Sequence, residues 1–344
     1  MFCEGQQDAL TVLVIQEEAD RYAAMIAEAF PGEVKSGKIR IIPCADENGI
    51  PADVSNVNIV GTWPLVKRIP EMKKLKWVMT FSSGIDHWEK SNLLPREIPL
   101  IHLPGGSGIP VAEFVIGLML NHVKHYTKIW DNQKVRNYER IQGKELWGKT
   151  LGIIGLGGIG RQVAKRAKAF DMYVVGSDIQ IVDLPYVDKV YLNRDFEEIL
   201  KISDFVVLSC PETPETVNMM NEERFKMMKP TAYFINCARG SLVVKDALIR
   251  ALNEGWIAGA SIDTHWIKNP LPSYLPPDDP LWSAKNVFIS PHISSWTDMY
   301  APRFGAVFVE NIRRTLAGEP LINVAPGFGV KKEQQCGGQM KTAG

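Results

Sequence analysis

Two groups of residues in this chain have types and spacing suited to chemistry. The first is Gly155-Leu156-Gly157-Gly158-Ile159-Gly160, which follows the apolar run TLGII and precedes RQVAKRAKAF. A GxGxxG pattern alone is weak, but between a strand and a helix it marks a dinucleotide-binding turn. Gly155 permits the tight turn, Gly157 lets the backbone approach a pyrophosphate, and Gly160 lets helix and strand pack closely. The helix N-terminus then offers backbone N–H groups and a partial positive charge to the phosphates. Asp178 ends the next strand-like run, 178 − 160 = 18 residues past the last glycine. A carboxylate there binds both ribose hydroxyls of NAD and repels the 2′-phosphate of NADP. Ile179 and Gln180 follow, where an arginine would favour NADP. The bland alternative is a plain turn with Asp178 as a solvated strand end.

The second group is Arg239 in INCARG, Asp263 in ASID, His292 in ISPHI and the Cys210-Pro211 turn. Each falls at the C-terminal end of a predicted strand, where open α/β sheets bind their ligands. The arginine can clamp a carboxylate through two parallel hydrogen bonds. The histidine can exchange a proton with a substrate oxygen near neutral pH. Taken singly they read as a surface ion-pair arginine, a helix-capping aspartate and a core histidine beside Pro291. Their joint placement around one dinucleotide cleft favours the site.

The elements that must carry these residues are legible as alternating strand and helix signals. TVLVI (11–15), KIRIIPC (38–44), VNIVGTW (57–63) and LKWVMTFSSG (75–84) are β-rich runs, and residues 17–30 have helical spacing. This spacing implies βα units around a parallel sheet. Pro110 opens a strong helix. From Lys149 the runs TLGII, MYVVGSD, DFVVLSC, AYFINCA, IAGASID and VFISPHI are nearly all apolar. That is the pattern of a parallel sheet covered on both faces, a doubly wound α/β domain. A last helix over 302–316 puts Phe304, Phe308, Ile312 and Leu316 on one face. Residues 123–148 are charged and aromatic, either a solvated helix and loop or an arm that packs on a second subunit. The tail 331–344 has the composition of a disordered segment.

Composition narrows the function classes. The 344 residues suit two domains, and 39 basic side chains balance 39 acidic ones. That balance argues against a phosphate-driven nucleic-acid binder. Cys3, Cys44, Cys210, Cys237 and Cys336 show no CxxC spacing and read as reduced thiols of a cytoplasmic protein. The six histidines lack metal-ligand spacing, so no metal is expected. The run VAEFVIGLML is too short to span a bilayer, and no membrane partner is expected.

Taken together, KTLGIIGLGGIGRQVA, SCPETPET, FINCARGSLVVKDALIRAL, IAGASID, DDPLWSAKNVFISPHIS and AGEPLINV resemble the D-2-hydroxyacid dehydrogenase family. The resemblance runs from about TVLVI to PLINV. It implies two Rossmann-like doubly wound domains. A flavodoxin-like outer domain would come from both chain ends (1–103 and 297–330), with an inserted NAD-binding domain (104–296). It also implies a homodimer with 123–148 as its arm. It further implies an NAD-dependent oxidoreductase that interconverts a D-2-hydroxy acid and its 2-oxo acid. Arg239 would bind the substrate carboxylate and carbonyl oxygen, and His292 would act as acid and base. Ser83 and Gly84 would bind the carboxylate through backbone N–H groups. Gly158 and Ile159 would face the pyrophosphate, Asp178 the adenosine ribose, and Asp263 the nicotinamide carboxamide. Cys210, Pro211 and the backbone of Cys237 would complete the cofactor site.

The chain departs from the family in one place. Members usually carry a glutamate just before Pro-Leu that pairs with the histidine, and here Lys268 or Asn269 stands there. Neither can raise the imidazole pKa as an anion would, so oxo-acid reduction is expected to need acid pH or to be slow. Glu113 and Asp298 are candidate replacements. Formate oxidation is one alternative activity. A non-catalytic NAD(H)-binding sensor, like corepressors on the same scaffold, is the alternative of another class. Trp88, Trp266 and Trp296 either line the pocket or fill packing, and His87 and His265 flank two of them without an assigned role.

Overall fold

A computed structural model describes residues 9–63, 65–266 and 275–330. The chain divides into two compact units. The first comprises the described parts of Met1–Gly106 and Asp298–Gly344, the second Ser107–Thr297.

In the first unit the chain runs β1 (Leu10–Ile15), α1 (Ala19–Ala29), α2 (Pro31–Lys35), β2 (Ile39–Cys44), β3 (Ile59–Thr62), β4 (Trp77–Thr80), α3 (Asp86–Ser91) and β5 (Leu100–Ile101). The five strands are parallel in the order β2-β1-β3-β4-β5, the flavodoxin-like arrangement. Every residue of β1, β3 and β4 is buried, as expected with helices on both faces.

The second unit contains α4 (Gly108–Lys124), α5 (Tyr126–Lys134), β6 (Thr150–Ile154), α6 (Gly158–Lys168), β7 (Tyr173–Asp178), β8 (Lys189–Leu192), α7 (Glu197–Ile202) and β9 (Phe205–Leu208). It continues with α8 (Glu222–Met227), β10 (Tyr233–Asn236), α9 (Lys245–Asn253), β11 (Gly259–Ile262) and β12 (Val287–Ile289). Its parallel strands lie in the order β12-β11-β10-β9-β6-β7-β8. The strand order therefore reverses between β6 and β9, which is the switch point where a dinucleotide binds in such sheets. After α9 the chain turns on Gly255, whose φ of +77° a side chain would resist.

The chain then returns to the first unit with α10 (Tyr300–Ala317). Phe304, Phe308 and Ile312 of this helix are buried among Val12, Tyr22, Trp77 and Phe81. The indole N–H of Trp77 donates to the hydroxyl of Thr315 at 2.9 Å.

Most strands are shorter than the apolar runs that announce them. VFISPHI pairs only over Val287–Ile289, because Pro291 has no N–H to give a ladder and His292 is left-handed (φ +58°). DFVVLSC stops pairing at Leu208, where the backbone turns toward the glycine loop. The expected disordered tail lies outside the described residues.

Candidate active site

The glycine turn is built as the spacing requires. Gly155 has φ +99°, and a Cβ on it would lie 2.8 Å from the backbone N and Cα of Cys210. The carboxyl ends of β6 and β9 therefore meet through bare backbone. A Cβ on Gly160 would lie 2.1 Å from the Gly155 carbonyl oxygen, so only glycine lets α6 start this close to β6. The Ser209 hydroxyl donates to the same carbonyl at 2.7 Å and ties down the turn. Gly157 caps α6 in extended conformation and has nothing within 4 Å of its would-be Cβ. The first amides of α6, from Gly158, Ile159 and Gly160, have no upstream helical carbonyl to bond. These residues fit the phosphates of a dinucleotide on the open side of the turn. Asp178 closes β7 half-buried, and one carboxylate oxygen accepts the amide of Ile179 at 2.7 Å.

The other candidates of this unit stand at the carboxyl ends of β10, β11 and β12, which are neighbours in the sheet. Asn236 at the end of β10 is buried, accepts the Ala238 amide at 3.1 Å and donates to the Arg239 carbonyl at 2.9 Å. This local turn holds the backbone of half-buried Arg239, whose Nη1 donates to the Ala238 carbonyl at 2.8 Å. Gly240 follows with no room for a side chain, since its Cβ would fall 2.3 Å from the His265 backbone carbonyl.

Asp263 leaves β11 almost wholly buried. Its Oδ1 accepts the Ser290 hydroxyl at 2.7 Å and the Ile293 amide at 3.1 Å, while Oδ2 accepts the Ser294 amide at 3.2 Å. The carboxylate thus brackets His292 on both sides. A histidine at φ +58° is in a sparsely occupied region, and such conformations persist where surrounding contacts over-determine them.

The thiols fit packing rather than nucleophilic work. Burial pushes the Cys210 thiol up to about 11 and raises that of Cys237 further, and the reactive form is the thiolate. Among the described residues no group of three or more His, Cys, Asp or Glu side chains could hold a metal ion.

Ser83 and Gly84 belong to the first unit, in the loop after β4. The Ser82 hydroxyl donates to the Gly84 carbonyl at 2.7 Å, and His102 Nδ1 lies 2.9 Å from the Ser83 carbonyl. Nearby, the Trp63 and His87 rings meet edge to face at 5.1 Å.

Lys268 and Asn269 lie outside the described residues. Glu113 does not serve as a spare partner for His292. It is largely exposed on α4, with its carboxylate 2.9 Å from Nη2 of Arg166. Asp298 lies in the first unit, where its backbone carbonyl accepts from Arg21 at 2.9 Å. Trp88 is core of the first unit, and the Trp266 indole donates to the Val243 carbonyl of the second. Trp296 is exposed over two fifths of its surface (41%).

The sequence reading passed over Asn236, Ser209 and Ser290, and named His265 without giving it a role. Their one visible signal was a polar side chain at the end of an otherwise apolar run, and buried polar groups need partners.

The strand order and the glycine turn define a dinucleotide-binding α/β enzyme domain. The sequence model of the D-isomer specific 2-hydroxyacid dehydrogenase NAD-binding domain matches residues 116–294. Glyoxylate reductase of Thermofilum pendens is 39% identical over 254 residues, covering 71% of this chain and 73% of that protein. D-3-phosphoglycerate dehydrogenase of Methanocaldococcus jannaschii is 36% identical over 265 residues, 74% of this chain. The chain spans only about half (48%) of that second relative. Among solved structures, a D-isomer specific 2-hydroxyacid dehydrogenase from Xanthobacter autotrophicus in complex with NADPH superposes with a TM-score of 0.75. It is 28% identical, with 93% of this chain and 99% of that one covered. The chain belongs to the D-isomer specific 2-hydroxyacid dehydrogenase family, whose members are oxidoreductases acting on a CH–OH group.

Proposed function

We propose that the protein reduces a 2-oxo acid to the D-2-hydroxy acid, and can run the reverse, with NAD(H) as the partner. The observation that carries this is the row of Arg239, Asp263 and His292 beyond the carboxyl ends of three adjacent strands, at the same end of the sheet as the glycine turn. Arg239 binds the substrate carboxylate and carbonyl oxygen, a planar donor fork meeting a planar acceptor. His292 gives a proton to the carbonyl oxygen in reduction and takes one from the hydroxyl in oxidation. Ser83 and Gly84 hold the carboxylate through their amides. NAD(H), when bound, supplies or accepts the hydride.

Gly158 and Ile159 face the pyrophosphate, on a turn that Gly155, Gly157 and Gly160 make possible. The backbones of Cys210, Pro211 and Cys237 lie along the cofactor, and Asp263 has one acceptor position left for its carboxamide. Asp178 favours NAD over NADP by the charge it presents, and exposed Ile179 offers a 2′-phosphate no cation. The glyoxylate reductase relative points to a small oxo acid.

The exposed aromatic surface of α5 and the segment after it supports a homodimer. Trp130, Tyr138 and Trp147 are 60%, 100% and 70% exposed, and large exposed aromatics suit an interaction surface. Sedimentation of wild type and Trp130→Glu tests it, a monomeric wild type being the refuting result.

The activity is tested by NADH oxidation with glyoxylate, hydroxypyruvate, pyruvate and branched or aromatic oxo acids at pH 5.5 and 7.5. Turnover that disappears in Arg239→Ala is expected. No turnover with any of them while NADH still binds would overturn the proposal.

A further inference from the structure

His265 has no place in the chemistry above, yet it is the one described side chain leaving β11 that reaches the backbone just before His292 from within the core. Its Nε2 lies 2.8 Å from the Ser290 carbonyl, so the neutral ring carries its proton on Nε2 and donates it there. The other nitrogen, Nδ1, is buried and has no hydrogen-bond partner. The Asp279 carboxylate is already taken by Lys245 Nζ at 2.6 Å and the Leu281 amide at 2.9 Å.

A buried imidazole with one orphaned nitrogen is a costly way to fill space. A phenylalanine ring would occupy the same volume without the orphan. What the histidine adds is the Nε2–H bond to Ser290. That bond adds to the hold of Asp263, which takes the Ser290 hydroxyl and the amides after His292. The backbone carbonyl of His265 in turn walls the Gly240 turn, the residue after Arg239.

We propose that His265 is a positioning residue for the acid–base group, its imidazole acting on His292 through the Ser290 carbonyl. It touches neither substrate nor cofactor. The inference rests on the proposed dehydrogenase activity for its kinetic consequence, but not for its structural one.

The test compares wild type, His265→Phe and His265→Gln. Phenylalanine keeps the ring and loses the donor; glutamine restores an N–H donor on a flexible chain. Amide hydrogen exchange over residues 287–297 reads the loop without any turnover. Faster exchange at Ile293 and Ser294 is expected in the phenylalanine variant and near wild-type exchange in the glutamine variant. In the kinetic arm, kcat for oxo-acid reduction is expected to fall about 10- to 100-fold in the phenylalanine variant, the scale of a misplaced catalytic group. The limb of the kcat pH profile set by His292 should move, the NADH Kd should stay within about twofold, and glutamine should recover most of kcat.

Loop exchange unchanged in the phenylalanine variant would overturn the inference. So would a loss shared equally by both variants with an unmoved pH profile, which is the mark of general destabilisation. Absence of turnover in the wild type would instead defeat the proposed function, and the exchange arm would still decide on His265.

Discussion

Replacing Asp263 by asparagine isolates what the buried carboxylate does for His292. Asparagine keeps the volume but offers one acceptor oxygen where the carboxylate has two. With that oxygen at the Oδ1 position, the amide NH2 faces the Ser294 N–H that now donates to Oδ2 at 3.2 Å. With the amide flipped, it faces the Ile293 N–H instead, at 3.1 Å from its present acceptor. Either way one N–H loses its acceptor, at a cost of about 1–3 kcal/mol, and the surviving bonds lose their charge assistance, about 1 kcal/mol more. The expected loss is ~2–4 kcal/mol, concentrated on the loop from Ser290 to Ser294. A left-handed non-glycine residue itself costs about 1–3 kcal/mol, so the loss is large enough to release His292 from φ +58°.

The assays are thermal unfolding, NADH titration by fluorescence and steady-state reduction of the best oxo acid. Unfolding should come several degrees earlier, and kcat should fall about 100-fold, as expected when a catalytic group drifts by about 1 Å. NADH should bind no more than roughly tenfold more weakly, the most that one hydrogen bond is ordinarily worth. A variant with wild-type kcat and unchanged melting would refute the reasoning. It would mean that strand packing alone shapes the His292 loop and that the three hydrogen bonds are incidental.

Three further outcomes are expected. Gly160→Ala forces a methyl to 2.1 Å from the Gly155 carbonyl, so α6 must move off β6; NADH affinity should drop at least tenfold in titration, with about 1–3 kcal/mol lost in urea unfolding. Asp178→Ser with Ile179→Arg removes the repelling carboxylate and adds a phosphate partner, and the ratio of kcat/KM for NADPH over NADH should rise by about two orders of magnitude; an unchanged ratio would locate cofactor choice elsewhere. Burial, with Lys144 and His125 adding to it, lowers the His122 imidazole from 6.5 to about 4. The fold favours the neutral ring, so its contribution is whole above pH 6.5 and is lost as pH falls toward 4. Screening at its solvent-exposed edge limits this to about 1–2 kcal/mol. Melting temperatures at pH 7 and 4.5 should therefore differ less in His122→Phe than in wild type.

What was legible in the chain and what was not divides along a physical line. Strands such as TLGII are buried on both faces, so an unbroken apolar run announces them, and β6 spans Thr150–Ile154 as read. β8 gave no such signal because KVYL is an edge strand with no fully buried residue. The helices α3, α7 and α8 have six residues each, too few for a 3.6-residue period to show itself. The glycine turn was readable because its constraint is local, a backbone that must bend and be approached within six residues.

The hold on His292 was not readable, because it depends on strand order. Asp263 and Ser290 are 27 positions apart in the chain, and they meet because β11 and β12 pair in parallel with Ile262 opposite Ile289. One further step along that register sets Asp263 beside Ser290. The same adjacency brings His265 to the Ser290 carbonyl. The sequence could thus name the candidate groups, which motifs carry, while their hydrogen-bond partners are set by how neighbouring strands end. That is why the two groups that hold the His292 loop, the Asp263 carboxylate and the His265 imidazole N–H, become visible only once the sheet is assembled.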